Sequence, residues 1–238
     1  MAELERLSVK VAGLGRREQA KAERRLRIMA AARDLIRETG DTDLSMRTIA
    51  KRAKVSLATP YNLFGSKRAV VLAVLEDERD FAERFASLHP VNAVERIFQA
   101  LTLAVGYYAD DPGFYRTLWR ALLDTNGKDG AGLATPQRLA QTHALWRTLL
   151  ENAQRQGFLE SEISVAALER NLSYAFNGVM LSWVMGGLTT SEMLPAAGYA
   201  YALALQGAAT KNGRDRLTKK VALYQKQLAR SQRRAAAA

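Results

Sequence analysis

The chain has 238 residues, 48% of them hydrophobic, which supplies a packed core for one large domain or two modest ones and argues against disorder. It has no cysteine and only two histidines, His89 and His143, so disulfides and thiolate chemistry are excluded and no histidine-based metal or Ser–His pattern forms. The net charge of +11 is segregated: residues 1–68 carry 16 Lys/Arg against 8 Asp/Glu, residues 69–210 carry 10 against 15, and residues 211–238 carry 9 against 1. Basic ends on a helical scaffold are the electrostatic footprint of a polyanion binder, and solubility alone is the bland alternative. The N-terminus lacks an apolar leader, and the longest apolar stretch, Val179 to Leu188, falls well short of the roughly 18 residues of a membrane span. The expectation is a soluble, cytoplasmic, non-enzymatic protein with no metal and no cofactor.

Nearly every segment carries a helical period, so the expected fold class is all-α. Residues 1–19 read as a loose basic arm. The first firm helix covers about 20–39, with Ile28, Ala32, Leu35 and Ile36 on its apolar face and Gly40 as its stop. Short helices follow at about 46–53 and 57–64, then a longer one at about 67–87. Pro90 marks a break. Further helices are expected over 91–109, 112–124, 136–156, 164–186, 191–209 and 213–232, with Thr125–Ala134 as the clearest loop.

The informative stretch is Ser45–Lys67, SMRTIAKRAKVSLATPYNLFGSK. Ser45 and Ser56 stand where N-caps are needed. Only Lys54 and Val55 separate the two short helices, which forces the steep crossing of a helix-turn-helix. Ile49, Ala50 and Ala53 would then pack on Val55, Pro60 and Phe64. The far side of the second short helix shows Leu57, Ala58, Thr59, Tyr61 and Asn62, small or neutral groups that let a helix lie close in a major groove. Lys67 and Arg68 open the next helix behind Ser66. Cations there oppose the helix dipole, a mild cost that a bound phosphate removes.

These residues resemble the TetR family of repressors. The match runs from a first helix ending in Gly40 through Ser45, Ile49, Ala50, Ala53, Val55, Ser56, Ala58, Thr59, Tyr61, Phe64, Ser66 and Lys67, and it is firm over about 20–84. Lys54 replaces the glycine usual at the turn, and Pro60 replaces a Leu or Ile. Pro60 is expected to cost about one backbone hydrogen bond and to make the recognition helix slightly irregular.

The resemblance implies double-stranded DNA as partner, a homodimer, and a repressor released from a palindromic operator by a small apolar or amphipathic effector. It implies a DNA-binding domain of three helices (20–84) and a larger helical ligand-binding and dimerisation domain (85–210), to which the charge pattern adds a basic arm (1–19) and a basic C-terminal helix and tail (211–238). Leu57, Ala58, Thr59 and Asn62 are candidates for base contact. Ser45, Arg47, Tyr61 and Lys67 are candidates for phosphate contact, with a core aromatic as the alternative for Tyr61. Arg16, Arg17, Lys21, Arg24 and Arg25 are candidates for backbone or minor-groove contact. Tyr108, Trp119, Arg120, His143, Trp146, Tyr174 and Asn177 are candidate pocket residues. Phe176, Met180, Trp183, Tyr199 and Leu203 are candidates for the dimer interface, in two helices apolar nearly all round. The C-terminal helix has no counterpart in the resemblance; a solvated tail helix is its default reading, and docking on the body, contact with DNA or binding to an acidic surface are the alternatives. The competing function is a helical small-molecule carrier or adaptor without sequence-specific DNA binding.

Overall fold

The computed structural model describes residues 15–42, 44–77, 81–89, 91–123 and 136–235; the expected loop at Thr125–Ala134 lies outside them. The described elements are α1 (Arg16–Thr39), α2 (Met46–Arg52), α3 (Ala58–Phe64), α4 (Lys67–Asp77), α5 (Phe81–Ala86), α6 (Ala93–Asp110), α7 (Pro112–Leu123), α8 (Pro136–Arg155), α9 (Val165–Val184), α10 (Thr190–Gly207) and α11 (Lys211–Ala235). The one β-feature among the described residues is an isolated antiparallel bridge between Leu159 and Ala209. No described helix is long and apolar enough to cross a membrane. The expected helix over 67–87 is represented by α4 and α5, with residues 78–80 outside the described residues, and α1 starts at Arg16, within the segment expected as a loose arm.

The chain divides into two compact units. The first contains α1–α4 together with α7 from Gly113 onward; the second contains α5, α6 and α8–α11. The expected boundary near residue 84 assigned α7 to the later domain. Packing decides otherwise: the Arg37 guanidinium lies 4.7 Å from the centre of the Phe114 ring, and the Thr117 hydroxyl donates to the Gly40 carbonyl at 3.4 Å.

In the first unit, Ile28, Ala32, Leu35 and Ile36 of α1 are buried, as their 3.6-residue spacing requires. They meet Ile49 and Ala50 of α2 and Val70 and Val74 of α4, all buried. Gly40 ends α1 in the left-handed conformation (φ 63°), its N–H donating to the Ile36 carbonyl. The exit from α2 is tighter. The Val55 N–H donates to the Ala50 carbonyl at 3.0 Å and the Lys54 N–H to the Lys51 carbonyl at 3.2 Å, the paired bonds of a Schellman cap. Such a cap needs a left-handed residue, and Lys54 adopts φ 53° without being glycine.

In the second unit α10 is central, packed on α6, α9 and α11. Tyr108 of α6 meets Trp183 of α9 with ring centres 6.0 Å apart, and Trp146 of α8 meets Tyr201 of α10 edge-on at 5.5 Å. The Trp183 indole N–H donates to the Thr190 hydroxyl at 3.1 Å, so this fully buried tryptophan keeps a partner for its polar atom.

The C-terminal helix is not a solvated tail. Leu217 and Tyr224 of α11 are buried, and the Tyr224 ring stacks on Phe98 at 5.7 Å. That ring occupies the space a side chain at Gly198 would fill. Lys220 pairs with Glu95 at 2.8 Å, and the Gln206 amide donates to the Thr218 hydroxyl at 2.8 Å. Gly213 presses on the turn after α8: a Cβ there would stand 2.1 Å from the Phe158 carbonyl oxygen.

Two stability outcomes follow from this packing. Gly213→Ala drives a methyl group into backbone, so equilibrium urea unfolding will show a loss of about 1–3 kcal/mol, the usual cost of overpacking. Lys54→Gly relieves the left-handed strain and will stabilise the protein by up to about 1 kcal/mol in the same assay; no gain would mean that Lys54 is unstrained in its turn.

Candidate nucleic-acid interface and interior site

The second helix of the pair is held by its neighbours rather than by its own length. At seven residues, α3 is far too short to be stable alone. Its anchor is Pro60, buried in the first unit. The expected hydrogen-bond loss at Pro60 does not arise: α3 begins at Ala58, so Pro60 stands in the first turn, where an N–H has no partner within the helix. Ser56 was expected to cap α3 with its side chain. Its hydroxyl instead pairs with the Thr59 hydroxyl at 2.8 Å, while its carbonyl accepts from the Thr59 N–H at 3.0 Å. This ties up one hydrogen-bonding position of Thr59, the threonine proposed to read a base edge.

The C-terminal end of α3 is secured from α1. Arg25 donates to the Leu63 carbonyl at 3.1 Å and its guanidinium stacks 4.1 Å over the Phe64 ring. Arg25, a candidate for backbone or minor-groove contact, is thus engaged within the protein. Arg16, Arg17, Lys21 and Arg24 line a groove along α1 that reaches Leu63, and Lys21 lies 3.9 Å from Glu18. Arg52 of α2 clamps Glu38 of α1 at 2.7 Å, and this hydrogen bond holds the Glu38 carboxyl below the usual carboxylate range.

Within its unit, α3 turns one face outward. Leu57, Ala58, Tyr61 and Asn62 are exposed and Thr59 is half-buried. Tyr61 is 50% exposed, so it is not a core aromatic. Ser45 and Arg47 are exposed at the start of α2, where the Ser45 hydroxyl accepts the Arg47 N–H at 3.2 Å. The Ser66 hydroxyl likewise accepts the Ala69 N–H at 3.1 Å, capping α4, and Lys67 is half-buried in a first turn that contains no acid. The geometry is a slim, weakly charged helix face flanked by two helix N-termini that carry cations, which suits a groove bordered by phosphates.

The pocket candidates separate. Trp119 and Arg120 lie on α7 in the first unit, whereas Tyr108, His143 and Trp146 belong to the second. Tyr174 (66% exposed) and Asn177 are exposed on α9. Sequence reasoning missed Glu169. This carboxylate is buried in α9 and meets His143 Nδ1 at 2.6 Å, while burial, and then the charge of Glu169, pushes the Tyr201 hydroxyl well above its ordinary range. The signal was present: Glu169 sits three residues before Leu172 and next to Leu168, an acid inside the apolar stripe of α9.

The interface candidates separate too. Met180 and Trp183 are fully buried in the single chain and belong to its core. Phe176 and Tyr199 are half-buried and Leu203 is exposed. The exposed apolar residues of α9 and of the turn after it are Tyr174, Leu181 (48%) and Met185 (75%).

The helix-turn-helix and its helical companion unit define a regulatory DNA-binding protein, and comparison with known proteins specifies which one. Residues 28–74 match the family model described as bacterial regulatory proteins, tetR family. An uncharacterised HTH-type transcriptional regulator of Mycobacterium bovis is 31% identical over 196 residues, covering 81% of this chain and 84% of that one. The fold is shared with TylP, a TetR regulator from Streptomyces fradiae (TM-score 0.59, 21% identity, 92% of this chain and 94% of that one). It is also shared with a gamma-butyrolactone receptor described as ArpA-like (TM-score 0.51, 20% identity, 88% and 99%). The chain belongs to the tetR family: it is a DNA-binding transcriptional regulator and not an enzyme.

Tyr61→Ala will weaken DNA binding by about 1–3 kcal/mol. Because Tyr61 is half exposed, its thermal midpoint will hardly move, whereas truncating a core aromatic costs about 3–5 kcal/mol. Fluorescence anisotropy and thermal melting of one preparation separate the two. Arg47→Ala will weaken binding to all duplexes alike and lower the salt slope by about one.

Proposed function

We propose that the chain is a homodimeric repressor that places one copy of α3 in each of two successive major grooves of a palindromic operator and leaves it when a small amphipathic effector binds the second unit. The observation that carries this reading is the two-sidedness of α3: Pro60 is buried while Leu57, Ala58, Tyr61 and Asn62 face outward. In this reading Leu57, Ala58, Thr59 and Asn62 meet base edges. Ser45, Arg47, Tyr61 and Lys67 hold the flanking phosphates. Leu57 offers only an apolar contact, suited to a thymine methyl.

Dimerisation is supported by the exposed apolar side chains of α9, the turn after it and α10: Tyr174, Leu181, Met185 and Leu203. Such residues cluster where another surface covers them. A two-fold pair also sets the recognition helices at the one-turn spacing, about 34 Å, that a palindrome requires. The effector end rests on Glu169, His143, Tyr201 and Trp146, which bring a buried acid, an imidazole, a phenol and an indole together between α8, α9 and α10. A site of this make-up would suit a largely apolar ligand with one or two polar groups. The gamma-butyrolactone receptor of the same fold is named for such a molecule. Release requires only that the effector favour a dimer geometry unsuited to DNA, by about 1–3 kcal/mol of coupling.

Footprinting the purified protein on the DNA upstream of its own gene tests the reading. Protection of two half-sites about one helical turn apart is expected; the absence of any protected site would refute it. Leu181→Glu with Met185→Glu will give monomers in analytical ultracentrifugation and lower operator affinity by about 100-fold or more, since each half-site then binds alone. Retention of the dimer would move the interface elsewhere.

A further inference from the structure

We propose that the outer face of α11 is a second, sequence-independent phosphate-binding surface for duplex DNA, separate from the helix-turn-helix. The helix carries eight Lys/Arg between Lys211 and Arg233 and a single acid, Asp215. Its buried side is settled by Gly213, Leu217 and Tyr224. At about 100° per residue, Lys219, Lys226, Arg230 and Arg233 fall within about 60° of one another on the opposite side. All four are exposed, and among the described residues none makes an ion pair, whereas Lys220, on the inner side, is held by Glu95. From Lys219 to Arg233 the row extends about 21 Å along the helix. Asp215 lies one turn before Lys219 and is the only negative charge of α11 near the row.

The packing of α11 selects the partner. A membrane-surface helix inserts its apolar side, but here that side is occupied by Phe98, Gly198 and Phe158 of the protein itself. A protein partner needs aromatic or aliphatic anchors, and Leu223 is the one large exposed apolar side chain among the described residues of α11. What remains is a row of cations on a docked helix, in a protein whose first unit is already a DNA binder. Regularly spaced phosphates complement it, and binding through the first unit would hold them at high local concentration.

The test uses the full-length protein and a random-sequence duplex of about 40 base pairs, titrated between about 50 and 200 mM salt by fluorescence anisotropy. The variant carries Lys219→Gln, Lys226→Gln, Arg230→Gln and Arg233→Gln. Its thermal midpoint should equal that of the parent, because the four side chains are exposed and make no ion pair; if it falls, Lys226→Gln alone replaces it. Removing one phosphate-bound cation lowers the slope of log K against log salt by about 0.9, so a drop of roughly 2–4 is expected for the quadruple variant and about 0.9 for the single one. A parent-like slope and affinity overturn the proposal. So does a parent-like DNA slope with abolished binding to polyglutamate or to phosphatidylserine vesicles, which would make the partner an acidic protein or a membrane. A second variant, Arg47→Ala with Tyr61→Ala, is titrated on the same duplex. Residual binding that disappears only when both sets are combined supports two surfaces. Loss from the first-unit substitutions alone, with none from α11, overturns this proposal and leaves the helix-turn-helix reading standing.

Discussion

The cap between α2 and α3 sets the crossing of the two helices, on which the exposed face of α3 depends. Two residues, Lys54 and Val55, reverse the chain, and the two backbone bonds from them to Lys51 and Ala50 leave little freedom in the crossing of the helices. That crossing turns Pro60 inward and Tyr61 outward. Glycine would fit the turn with less strain, yet Lys54 holds it, at a cost of about 1 kcal/mol. The surrounding burial of Ile49, Ala50 and Ala53 offsets that strain. A lysine in the loop also adds a positive charge where the chain leaves α2, close to the face proposed to meet phosphate. Stability and electrostatics thus pull in opposite directions at this residue.

The same economy governs α3. A seven-residue helix has no stability of its own, so its position is imposed by interactions at both ends: the hydroxyl pair of Ser56 and Thr59 at the start, and Arg25 on Leu63 and Phe64 at the finish. Arg25 satisfies a terminal carbonyl that water would otherwise solvate, and it covers an aromatic face. A basic residue counted toward DNA binding by its charge thus serves to hold α3 in place.

The second unit shows how a helical body accommodates polar groups. Trp183 and Tyr108 form a buried aromatic centre, with the indole N–H satisfied by Thr190. Glu169 is different: a buried acid that keeps His143 beside it and adds to the burial that raises the proton affinity of Tyr201. A buried, hydrogen-bonded acid seldom adds net stability compared with an apolar side chain, so its presence suits a recognition role. The last helix completes the unit by stacking Tyr224 on Phe98, and in doing so it fixes the direction of its own cationic row.

Much of this was legible in the sequence because it depends on local chemistry. Helix ends follow from Gly40, Ser45 and Ser66, the apolar faces from a 3.6-residue spacing, and the helix-turn-helix from a junction too short to permit anything else. The outward-facing residues of α3 were legible for the same reason. What the sequence left open was direction and partner. Met180 and Trp183 share a helix and an apolar character with their neighbours Leu181 and Met185, and only tertiary packing separates the buried pair from the exposed one. Likewise α7 is an amphipathic helix in any reading; the packing of Phe114 and Thr117 places it with the first unit. The pairing of Glu169 with His143, 26 positions apart, and the docking of α11 are long-range choices. Periodicity reports which face of a helix is apolar, but not what that face meets, because the meeting depends on residues far away in the chain.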